Sequence, residues 1–153
     1  MNTPAHPVPS DPVVRAFVRL VRAQRSVVTG IQRAVKDAGF PPLEWYDVMW
    51  ELERVGPSRP REIQERLLFP QSNLSRLLDR MEEAGLVQRG TCKEDARGQI
   101  ICITDAGKAL RKRMWKVHAA AIQAMVGDRL SDKEADQVAR LLDRLRGCCP
   151  DSE

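Results

Sequence analysis

Gln71 to Leu86 reads QSNLSRLLDRMEEAGL, and how this stretch is read decides the fold. Leu74, Leu77, Leu78 and Met81 recur at i, i+3, i+4 and i+7, which is one apolar face of a helix. Around the other side stand Ser72, Asn73, Ser75, Arg76 and Arg80. A helix with a buried leucine stripe and that outer face can lie in a DNA major groove. There arginine pairs with guanine edges, asparagine with adenine edges, and serine reaches phosphates. The same pattern also fits any amphipathic surface helix, so the neighbouring segments must decide.

Upstream, Gly56-Pro57-Ser58 breaks the chain and Pro60 suits the first turn of a short helix running to Leu67 or Leu68, with Ile63 and Leu67 facing inward. Phe69-Pro70 then turns directly into the leucine-striped helix, which makes a helix-turn-helix. Downstream, Gly85 caps that helix. Leu86 to Cys92 and Gln99 to Ile103 read as two β-strands around the polar turn Lys93 to Gly98. A hairpin directly after a helix-turn-helix is a wing. That order is far more specific than one helix.

Further out, residues 1–11 are proline-rich and read as a flexible N-terminal arm. Asp11 as N-cap and Pro12 open a long first helix that ends near Ala38, before Gly39 and Pro41-Pro42. Its stripe of Val14, Phe17, Val18, Val21, Val28, Ile31 and Val35 needs a covering partner, while Arg15, Arg19, Arg22 and Arg33 lie mostly off it. Leu43 to Val55 forms a second helix rich in aromatics. Thr104 can N-cap a helix reaching about Arg129, and Ser131 to Glu134 is a capping box opening a last helix to about Arg146. The expected fold is mainly α with a small β-wing: a winged helix-turn-helix lobe plus long N- and C-terminal dimerisation helices. The lobe spans 43–104, the dimerisation helices 12–42 and 105–147, and 148–153 is a C-terminal tail.

A chain of 153 residues with 42% hydrophobic and 30% charged residues has room for one soluble, helix-rich domain. No apolar run approaches a membrane span and the N-terminus has no apolar signal core, so the protein is expected in the cytoplasm. The four cysteines should then rest as thiols. A net charge of +4 permits an acidic partner. An enzyme is not expected: there is no Gly-rich phosphate loop, no paired catalytic carboxylates and no Ser/His/Asp set. His6 lies in the arm and His118 stands alone on a helix, so neither a metal nor a cofactor is called for.

With these elements in order, the chain resembles the MarR family of transcription regulators from the first helix to Leu145. The likeness rests on Glu62-Ile63, Ser75-Arg76-Leu77, Asp79-Arg80-Met81-Glu82, Gly85-Leu86-Val87 with Arg89, then Asp95-x-Arg97 and Ile103-Thr104-x-x-Gly107, all in register. Pro70 departs from it, standing where a capping Ser or Thr is common. The resemblance implies a homodimer in which first, fifth and sixth helices interlock. It also implies two recognition helices in successive major grooves about 34 Å apart, on a pseudo-palindromic operator of double-stranded DNA. Carried over by position, Ser72, Asn73, Ser75, Arg76, Arg80, Lys93, Asp95 and Arg97 are the DNA-binding set, with Arg97 reaching a minor groove and Asp95 orienting it. The function expected is repression of that operator.

Release of DNA is expected to follow binding of a small aromatic or anionic ligand. Trp45, Met49 and Trp50 are the candidate wall, joined by Trp115, His118 and an arginine of the first helix. The rival switch is thiol oxidation, with Cys92 and Cys102 on opposite wing strands, roughly across from one another, and Arg89 and Lys93 favouring thiolate. Cys148 and Cys149 could pair between subunits. A third reading is a winged-helix protein-interaction module without DNA binding, for which Arg97 would have no use.

Overall fold

A computed structural model describes residues 8–91 and 99–146. The first helix, α1 (Asp11–Asp37), starts one residue earlier than the sequence suggests: Ser10 is its N-cap and Asp11 lies in the first turn, where a carboxylate favours the helix dipole. It stops where Gly39 takes φ 76° and Phe40 N–H donates to Val35 O at 3.2 Å. Of its apolar stripe only Ile31 and Val35 are buried, while Val14, Phe17 and Val21 are exposed.

Next come α2 (Leu43–Val55), α3 (Pro60–Arg66) and α4 (Leu74–Glu83). Gly85, at φ 72°, ends α4, with its N–H on Glu82 O at 2.8 Å and Leu86 N–H on Met81 O at 2.9 Å. Leu86 therefore belongs to the helix cap, and the strand β1 begins only at Val87 (Val87–Thr91). β1 pairs antiparallel with β2 (Gln99–Ile103), in the register Val87↔Ile103 to Thr91↔Gln99. Ser58, between α2 and α3, adds a single antiparallel bridge to β2 by exchanging backbone bonds with Ile101 at 3.1 and 2.9 Å.

Thr104 Oγ1 accepts from Gly107 N–H at 3.1 Å and donates to Gly85 O at 2.7 Å, so one hydroxyl starts α5 (Asp105–Ile122) and ties it to the end of α4. The expected continuation of α5 as plain α-helix is corrected: Gln123–Gly127 is a π-helical turn, closed by Asp128 N–H on Gln123 O at 2.8 Å. Met125 on that turn packs against Gly30 of α1, where an added Cβ would lie 2.7 Å from the sulfur. The last helix, α6 (Asp132–Arg146), opens on the capping box, with Ser131 N–H to Glu134 Oε2 at 2.9 Å and Glu134 N–H to Ser131 Oγ at 3.4 Å.

The core runs through the middle of the lobe. Val48, Met49, Ile63, Met81, Ile101 and Met114 are wholly buried, so α2 to α5 and the wing share one apolar interior. α5 packs along both α1 and α2. In contrast, Val138, Leu141, Leu142 and Leu145 of α6 are exposed, as are Val13, Phe17 and Leu20 of α1. Among the described residues no helix is long and apolar enough to cross a membrane.

Candidate nucleic-acid interface and effector cleft

Leu74, Leu77, Leu78 and Met81 turn into the core, which leaves Ser75, Arg76, Asp79 and Arg80 on the outside of α4. Ser72 and Asn73 stand just before the helix and are exposed too. Asn73 is its N-cap: Oδ1 accepts from Arg76 N–H at 3.1 Å. With Pro70 unable to serve, Asn73 fixes where α4 begins, and that carbonyl oxygen is occupied. Gln71, Ser72, Asn73, Arg76, Asp79 and Arg80 line one shallow groove.

The charges on this face are sorted by the wing. Arg89 of β1 takes Asp79 at 2.5 Å and Glu82 at 2.6 Å, and Asp79 is the chief cause of its raised pKa. Asp79 and Glu82 are thereby held toward the wing, while the Arg76 and Arg80 side chains have no ion-pair partner among the described residues. Two guanidiniums on an exposed helix, with Asp79 and Glu82 already paired to Arg89, suit an anionic duplex.

Lys93, Asp95, Arg97 and Cys92 lie outside the described residues, as do Cys148 and Cys149. The described strands nevertheless correct the thiol reading. Opposite Cys102 stands Gln88, not Cys92, because the hairpin register is set four positions away from the one assumed. Arg89 is spent on Asp79 and Glu82 rather than on a thiolate. Cys102 itself is a half-buried free thiol.

Above the helix-turn-helix a cleft of about 950 Å³ opens between α2, α5 and the α3–α4 turn. Trp50, Trp115 and His118 line it, as expected; Met49 and Trp45 do not. The reason is the helical turn of ~100° per residue. Tyr46 and Trp50 form the ridge facing the cleft, whereas Trp45 and Met49 form the next ridge, which packs into the core, with Met49 fully buried. Nor does an arginine of the first helix reach it. The arginine beside the tryptophans is Arg111 of α5, whose guanidinium lies 5.3 Å from the Trp50 ring centre and is ion-paired to Glu53.

Tyr46 stacks on Trp115 at 6.3 Å, and His118 meets both edge-on, at 4.8 and 5.7 Å. Burial raises the Tyr46 pKa, against the pull of Arg111, and lowers that of His118. Sequence reasoning missed the polar floor. Asp47, buried in the wall, is pushed up to about 6 by its burial; its Oδ2 accepts from Phe69 N–H at 2.8 Å, which limits the rise. Beside it Glu51 holds Arg54 at 3.0 Å and Arg66 at 3.4 Å, and Arg66 donates to Ser58 Oγ at 2.7 Å. The available signal was Asp47 and Glu51 at i, i+4 on the same side of the helix as Trp50.

The MarR family's sequence profile matches residues 38–98. The HTH-type transcriptional regulator YkoM of Bacillus subtilis is 32% identical over 121 residues, 79% of this chain and 77% of that one. The chain belongs to the MarR family. As a member it is a DNA-binding transcriptional regulator with a winged helix-turn-helix, and not an enzyme. Its fold is that of Sco3205, a MarR-family regulator from Streptomyces coelicolor solved in complex with DNA. The TM-score is 0.84 at 21% identity, covering 97% of this chain and 94% of that one. Bordetella bronchiseptica BpsR, whose DNA binding is regulated by 6-hydroxynicotinic acid, has the same fold. There the TM-score is 0.75 at 19% identity, over 97% and 100% of the two chains.

Proposed function

We propose that this MarR-family regulator is a homodimeric repressor that reads a pseudo-palindromic operator and leaves it when a small aromatic effector enters the cleft. The observation that carries the DNA contact is the outer face of α4, where Arg76 and Arg80 stand exposed and unpaired while Arg89 holds Asp79 and Glu82 aside. Arg76 is the base reader, and Ser72 and Ser75 at the helix start reach phosphates. Asn73 spends its oxygen on the cap and keeps only its amide N–H groups for DNA. Lys93, Asp95 and Arg97 complete the proposed DNA-binding set, as the family resemblance implies.

The dimer is supported by the uncovered apolar surfaces of α1 and α6, and the effector by the aromatic cleft. BpsR supplies an instance in the same fold of DNA binding regulated by a small aromatic acid. A ligand moves the equilibrium only by binding one arrangement of the lobes better than the other. The cleft is placed for that, because Leu67, Leu68 and Phe69 of its wall belong to the joint between α3 and α4.

The test is affinity for the DNA immediately upstream of the protein's own gene at one fixed salt concentration. Arg76→Ala is expected to weaken binding and to flatten the preference between operator and unrelated DNA. Equal affinity and equal preference in wild type and variant would remove α4 as the reader.

A further inference from the structure

We infer that the cleft selects a cationic aromatic ligand, a protonated amine carried on a planar body, with Asp47 as its counter-ion. The inference rests on the reading of the cleft as the effector site and narrows its ligand class. The resemblance to the family implies an aromatic or anionic ligand; the floor of this cleft favours the opposite charge.

Each arginine that lines the cleft lies beside a carboxylate. Arg54 and Arg66 share Glu51 at 3.0 and 3.4 Å, Arg111 holds Glu53 and lies over Trp50, and Arg146 lies 3.7 Å from Asp143. An incoming carboxylate would compete with Glu51 for Arg54 and Arg66 and with Glu53 for Arg111. Asp47 is in the reverse position. It is 6% exposed, lines the cleft, and has no cation within ion-pair distance among the described residues. What holds it is backbone N–H, from Phe69 at 2.8 Å.

A buried carboxylate without a counter-charge is costly, and a ligand ammonium would supply that charge. The ring faces of Tyr46 and Trp115 attract a cation as well as a planar body. His118 does not compete, since burial lowers its pKa and keeps it neutral near neutral pH. Burial raises the pKa of Asp47, and the neighbouring Glu51 carboxylate adds to the rise. Because the same carboxylate holds the Phe69 amide at the start of the turn into α4, its ligand would act on the recognition helix through one side chain.

The experiment is calorimetric titration of the full-length protein, near neutral pH, with three probes of one shape: 1-naphthylmethylamine, 1-naphthylmethanol and 1-naphthoate. The amine is expected to bind about tenfold or more tighter than the naphthoate. Asp47→Asn, which keeps an acceptor for Phe69 N–H, should erase that preference and leave the alcohol's affinity as it was. Trp115→Ala should weaken all three. The wild-type ranking needs no variant: naphthoate binding as tightly as the amine, or tighter, overturns the inference while leaving the cleft an effector site. A preference that survives Asp47→Asn overturns it too. Binding by none of the three, or binding indifferent to Trp115→Ala, overturns the reading of the cleft itself and the inference with it.

Discussion

Arg89 meets Glu82 twice: its backbone N–H donates to Oε1 at 3.0 Å and its Nη1 to Oε2 at 2.6 Å. One carboxylate near the end of the recognition helix thus holds both the backbone and the side chain of the first wing strand. The other arm of the guanidinium reaches Asp79 one turn earlier. The angle between α4 and the wing is therefore set by charge-assisted bonds in addition to apolar packing. That angle decides whether a helix in the major groove and a wing beside it can engage one duplex together.

Glu82→Ala is expected to cost about 1–2 kcal/mol, since the bonds are charge-assisted but partly open to solvent. Operator and unrelated DNA should lose affinity alike, because no base-reading group is removed. Urea unfolding and binding at fixed salt check both. An unchanged unfolding midpoint would mean that packing alone sets the angle.

Asp47 makes stability depend on pH in an unusual direction for a carboxylate. Its pKa rises from 3.8 to about 6 on folding, mainly through burial, so the folded chain binds this proton more tightly than the unfolded chain does. Ionisation above pH 6 therefore disfavours the fold, and the penalty fades as pH falls from about 6 toward 4. Asp47→Asn should be more stable than wild type at about pH 8, by roughly 2–3 kcal/mol at most, with the gap closing by about pH 4. Urea unfolding of both proteins across that range is the measurement. A gap that stays constant would show that Asp47 does not titrate in the window.

Gly107 sits where α5 crosses the end of α4. A Cβ there would run into the Leu86 carbonyl oxygen and lie 2.8 Å from Ile103 Cγ1. The obstacle is mostly backbone, which cannot move aside as a side chain can. Gly107→Ala should destabilise by about 1–3 kcal/mol, as overpacking does, and should loosen the Thr104 bond to Gly85. Thermal unfolding tests it; a variant as stable as wild type would show that the helix crossing can open without cost.

Thr104 as N-cap, Gly85 as helix terminator and the Ser131–Glu134 box were legible because each acts within a few residues of itself. So was the leucine stripe of α4, since four apolar residues at helical spacing admit one buried face. What a helix turns toward its neighbours was harder. Trp45 and Trp50 look alike in sequence, yet rotation of α2 about its own axis, fixed by its tertiary neighbours, sends one into the core and the other to the cleft. The wing register was misjudged for a related reason. Pairing Gln88 with Cys102 depends on how the turn closes, and strand composition does not encode that. Asp47 was not legible as buried because an acid in a helix that carries several is ordinarily solvated.

The seam of α1 was legible as apolar, but among the described residues only its C-terminal part is buried, at Ile31 and Val35. Val13, Ala16, Phe17 and Leu20 instead face Val138, Leu141, Leu142 and Leu145 across an open groove of about 490 Å³ that is almost wholly apolar. Phe17 is 65% exposed and Leu145 61%, so within a lone chain neither contributes much burial, and Lys at both positions should leave the lobe folded. If the groove is closed by a second copy, the double substitution Phe17→Lys, Leu145→Lys buries like charges at the interface and should yield monomers by light scattering. A single lobe then holds one half-site without its tethered twin, and operator affinity should fall by about 100-fold or more. Unchanged mass with unchanged affinity would place the dimer contact elsewhere. A monomer that still binds the operator as tightly as wild type would mean that one lobe suffices and that the operator is not read as a palindrome.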